Sequence, residues 1–147
     1  MKREQITPEI IELSKKIAEK WRMDIYFGGW AIVLFERLGE QPILYNGEWS
    51  CGAPSDSLYH EKTMKLYTQD KWFPIPSMGD CLEKLRELGI PVQIKDRRDR
   101  YAESRGWTHQ LAFGHPNKKS AYKSWGGVIN GTLHLALLSA LLEVLGE

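Results

Sequence analysis

The side chains able to do chemistry fall into a few small groups. Cys51, His60 and Cys81 are the soft metal ligands within a modest stretch. Structural zinc sites pair their ligands typically two to four residues apart. These three are not so spaced, and no metal or other cofactor is expected. Cys51 stands before Gly52 in a loop, where His109 or His115 would be the base of a Cys-His pair. Nothing in the sequence fixes a base beside it, and the plainer reading is an inert loop cysteine. Cys81 lies on the apolar face of a helix and reads as core.

The third group is a basic lobe. Segment 95–123 holds eight Lys and Arg against three Asp and Glu, a net +5, while the rest of the chain carries −4. Arg97, Arg98 and Arg100 precede the strand-like "WTHQLAF", and Lys118 and Lys119 follow it. Trp107 and Trp125 offer stacking faces, and His109 lies between the two basic runs. Planar guanidinium forks bind phosphate bidentately, and aromatic faces stack on bases. If that strand brings the runs together, these eight residues form a site for a small anionic, nucleotide-like ligand. Nucleic acid is a weaker fit, because Asp96, Asp99 and Glu103 interrupt the charge. The bland reading is a solvated loop with local ion pairs.

The chain has neither a Walker loop nor a G-x-G-x-x-G run; Gly28-Gly29 and Gly126-Gly127 read as turns. A non-enzymatic binding protein for such a ligand or for a host protein is therefore expected. The alternative is a small hydrolase or transferase acting on a phosphorylated substrate, with His109 or His115 as acid or base.

The elements that must position these residues are legible in part. Thr7 caps a first helix over 7–21, Pro8 suits its first position, and Ile10, Leu13, Ile17 and Trp21 recur at helical spacing. "MDIYFGGWAIVLF" favours strand around a Gly-Gly turn, and Asn46-Gly47 signals a hairpin or a loop turn. Residues 50–71 have no clean period. In "KWFPIPSMGDCLEKLRELG", Pro74 and Pro76 keep the chain extended, and Ser77 with Asp80 resembles a capping box for a helix over 78–88, which Gly89 stops. Trp72 and Phe73 either rim a site or close one end of the core, the second being favoured. "IPVQIK" and "GWTHQLAF" read as strands, and "GHPNKKSAYKSWGG" as a polar connection. The last helix, 132–145, is Leu, Ala or Val outside a stripe of Thr132, Ser139 and Glu143, apart from His134. His134 stands roughly 200° around the helix from Thr132 and is expected to face inward. The nearly all-round apolar surface predicts a homo-oligomer built through this helix.

The order helix, strands, Pro76-Ser77-Met78-Gly79-Asp80-Cys81-Leu82, strands and the closing run Leu133–Leu142 resembles the phage ABA sandwich domain family, small proteins of phages and prophages. "KIAEKW" at 16–21 sits where members often end a helix. The resemblance implies a layered α-β-α sandwich; the capped helices between aromatic and β-branched runs, with a length that fits one domain, predict an α+β fold with a mostly antiparallel sheet over 1–147. It implies no catalytic residue.

Composition agrees with a globular chain. The 147 residues are 42% hydrophobic and 27% charged. No apolar run reaches the roughly 18 residues of a membrane span. The opening "MKREQITPEI" has no apolar stretch behind its basic residues, so no secretory leader is expected. Two cysteines suit a reducing compartment, and the cytoplasm of a bacterial host is expected.

Overall fold

The computed structural model describes residues 2–51, 57–90, 92–96, 100–104, 109–115, 118–126 and 132–146. It is an α+β chain, and every strand pair among the described residues is antiparallel. Two compact units divide it, Met1–Pro76 and Ser77–Glu147.

The first unit opens with α1, Pro8–Lys20. The Thr7 hydroxyl accepts the Ile10 N–H at 3.3 Å and Pro8 takes the first helical position, as the sequence predicts. Ile10, Ser14 and Ile17 bury one stripe of it, and the helix packs on β6 (Trp72–Ile75). Two sheets follow. β1 (Trp30–Phe35) is the centre of one, between β2 (Gly39–Leu44) and β6. β4 (Leu58–His60) is the centre of the other, between β3 (Trp49–Cys51) and β5 (Lys65–Tyr67).

Alternation along β1 sends Ala31 and Val33 to one face, where they form a core with Trp49, Leu58 and Trp72. Trp72 and Phe73 are therefore core rather than rim, 3% and 9% exposed. Asn46-Gly47 makes a loop turn and not a hairpin, since β2 pairs with β1 while β3 pairs with β4. The Asn46 side chain fixes it by accepting the Glu48 N–H at 2.9 Å.

The second unit begins with α2, Met78–Glu87. Its start is a full capping box. The Ser77 hydroxyl accepts the Asp80 N–H at 3.1 Å, and the Asp80 carboxylate accepts the Ser77 N–H at 2.9 Å. Gly89 ends it at φ 77°, a conformation that Cβ-bearing residues rarely adopt. Replacing Ser77 with alanine leaves the Asp80 N–H without its acceptor. Ser77→Ala should cost about 0.5–2 kcal/mol in denaturant unfolding, and no measurable change would contradict the box.

α2 packs on α4, Thr132–Leu145, and on β7, Val92–Asp96. β8 (His109–His115) pairs with β7 and with β9 (Lys118–Gly126), and α3, Arg100–Ser104, lies between β7 and β8 in sequence. The stretch expected as a polar connection is thus largely strand. Hairpin pairing with β8 overrides its low intrinsic strand preference. Among the described residues the antiparallel strands divide among three sheets, each of three strands. On α4, His134, Leu137, Leu138 and Leu141 are buried at the i, i+3, i+4, i+7 positions of one face, so His134 does face inward.

Candidate functional site

The eight residues of the basic lobe are placed to different degrees. Arg97, Arg98 and Trp107 lie outside the described residues. Arg100 is exposed at the start of α3. His109 begins β8 opposite Asp96, and Trp125 stands on β9 opposite Leu111, so both belong to one end of the hairpin. Lys118 lies opposite His115 at the other end, with Lys119 beside it in sequence. His109 and His115 are six steps apart on one strand, roughly 20 Å at about 3.3 Å per residue. The register therefore groups His109, Trp125 and the Asp96 end of β7, and sets Lys118 and Lys119 apart from them.

The sulfur and histidine candidates belong to different units, Cys51 and His60 to the first and Cys81 to the second. Cys51 is half-buried on β3 opposite Leu58, and Cys81 is fully buried on α2. Burial pushes the Cys81 thiol up to about 12, with the neighbouring Asp80 carboxylate adding to the shift. A thiol so held stays protonated and is no nucleophile at neutral pH. Among the described residues no group of three His, Cys, Asp or Glu is placed to hold a metal ion.

His60 is engaged in a local latch. Its ring stacks on Trp49 with centroids 4.3 Å apart, and its Nδ1 lies 2.8 Å from the Thr63 hydroxyl. Its Nε2 is 3.8 Å from Glu48, whose carboxylate also meets Lys62 Nζ at 3.0 Å. Lys62, and then His60, hold the Glu48 carboxyl below its usual range. These contacts tie the β4–β5 hairpin to the start of β3.

Beside that hairpin is a groove of about 620 Å³, within the size range of ligand sites. One wall is the end of β1, the turn after it and the start of β2: Leu34, Phe35, Glu36 and Gly39. The other is the whole of β5, continued by Thr68 and Lys71. Its charges are Lys65 and Lys71 against Glu36, a net excess of one positive charge. Its apolar lining is open to solvent at Leu34, 40% exposed, and Leu66, 59% exposed.

The groove's aromatic lining packs toward the core. Phe35 meets Tyr67 edge to face at 5.7 Å, and Tyr67 lies 6.0 Å from Trp49 in the core. Burial, with the Glu36 carboxylate adding to it, raises the Tyr67 phenol above its ordinary value, so it stays a neutral hydrogen-bonding group. Sequence reading missed this site because β5 spans three residues, too few to show alternation. The available signal was Lys62, Lys65 and Lys71 spaced around Leu66 and Tyr67.

Comparison with known proteins finds no matching family model, no matching curated protein and no matching solved structure.

Proposed function

We propose that this chain is a non-enzymatic accessory protein of the phage and prophage kind its sequence resembles, acting in the cytoplasm of the bacterial host by holding a segment of a host protein in the groove beside β5. The observation that carries this reading is the groove's lining: exposed Leu34 and Leu66 beside the packed Phe35–Tyr67 pair, with Lys65 and Lys71 outnumbering Glu36. Exposed apolar patches rimmed by charge are characteristic of protein-binding surfaces. Half-buried Leu135, Leu142 and Leu145 on α4 support a homo-oligomer through that helix; sedimentation that stays monomeric at high concentration would remove it.

A second reading is a nucleotide-like anion at the end of the third sheet. It is favoured by the register that puts His109 and Trp125 at one end of β8 and β9. Titration of the full chain with nucleotides and with short peptides, followed by amide spectra, separates the two. Peptide-induced shifts at 34–39 and 65–71 support the groove. Nucleotide-induced shifts around 96, 109 and 125 support the sheet end. Conversion of a nucleotide to product would instead favour the hydrolase or transferase alternative.

A further inference from the structure

Resting on the groove reading, we infer that the partner binds as an added β-strand along the outer edge of β5, and that it is an acidic, extended segment with apolar residues at alternate positions. Three observations lead there.

The first is the edge itself. β5 is the last strand of its sheet, and among the described residues no strand lies beyond it. In an antiparallel pair alternate residues turn their backbone groups to the partner, so β5 leaves the rest pointing outward. The two edges of the first sheet are guarded against such addition. β2 carries Pro42. β6 carries Pro74, and Arg22 Nη2 donates to the Trp72 carbonyl at 2.6 Å. On β5 the middle side chain is instead an exposed leucine.

The second observation is the place of that edge. All of β5 lines the groove, facing Leu34 and Phe35 across it. A strand laid on the edge can hydrogen-bond to β5 while its alternate side chains enter apolar lining, as in strand-addition recognition. Met64, next to β5, is 77% exposed and holds φ 57°, a conformation uncommon for residues other than glycine.

The third observation decides the partner. Lys65 and Lys71 against the single Glu36 favour carboxylates opposite them. The same lysines argue against a second copy of this chain, because each copy would bring the same positive excess to the shared edge.

The test uses the full chain and three peptides of about six residues, the length of a typical strand: two of opposite charge and a modified form of one. One alternates glutamate with leucine, and the other alternates lysine with leucine. A third is the acidic peptide with alternate backbone nitrogens methylated. The acidic peptide should bind, protect the Lys65–Tyr67 amides from exchange, and lose affinity on methylation. Lys65→Glu with Lys71→Glu should weaken it about tenfold and favour the basic peptide. Binding that is unchanged by methylation and protects no β5 amide would overturn strand addition while leaving the groove reading standing. Equal binding of the basic peptide would overturn the charge assignment. If no peptide binds, the groove reading falls with it. A wild-type dimer that Leu66→Glu dissociates would assign the edge to a second copy instead.

Discussion

Trp72→Ala should remove about 3–5 kcal/mol of stability, the range seen when a buried tryptophan is truncated to alanine. Trp72 is 3% exposed and shares its core with Ala31, Val33, Trp49 and Leu58. It is also the floor on which Arg22 lies, the guanidinium carbon 4.4 Å from the ring centre. That cation–π contact adds about 0.5–2 kcal/mol. The loss would be a large share of the roughly 5–15 kcal/mol that holds a typical domain. Trp72→Phe keeps a ring under Arg22 and should recover most of it. Denaturant unfolding of the two variants measures both effects. A cost below about 1 kcal/mol for Trp72→Ala would contradict the placement of Trp72 in the core.

The second large effect is alkaline. The Cys81 thiol ionises at an ordinary value of 9.0 when the chain is unfolded and at about 12 when it is folded. Below pH 9 both states keep the proton and stability is full. As pH rises above 9 the unfolded chain alone loses it, so unfolding becomes more favourable and stability falls until both states are ionised near 12. The slope is about 1.4 kcal/mol per pH unit, giving a loss of about 2 kcal/mol by pH 10.5 and on the order of 4 kcal/mol by pH 12. Other groups titrate in the same window, so the measurement is the difference between wild type and Cys81→Ala across it. The wild-type curve should fall more steeply by that amount. Parallel curves would mean that Cys81 is not held protonated by the fold.

How much of this was legible in the sequence depended on whether a local pattern decides the structure. Thr7-Pro8 and Ser77-x-x-Asp80 carry their own hydrogen bonds, and the helices begin where those residues say. Gly89 needs only its missing Cβ to end α2. The interior placement of Cys81 and His134 followed from helical spacing alone. Strands were harder because pairing, not composition, makes them. Lys118–Gly126 reads as a loop until β8 supplies partners, and β3, β4 and β5 are three residues each, shorter than a readable alternation.

The basic lobe shows a related limit. Its charges are close in sequence on both sides of one strand, but an extended strand separates its two ends by its full length. The register therefore parts Lys118 from His109. The groove had the opposite problem. Its walls, Leu34–Glu36 and Lys65–Thr68, are about thirty residues apart and meet only after two sheets have formed.

The central claim is that a partner is held in the groove beside β5, and the most direct measurement is an amide-shift map of the whole chain during titration with the acidic alternating peptide. The account predicts saturable shifts concentrated at 34–39 and 64–71, abolished or strongly weakened by Lys65→Glu with Lys71→Glu. Shifts confined to 92–126, or none at saturating peptide, would contradict it.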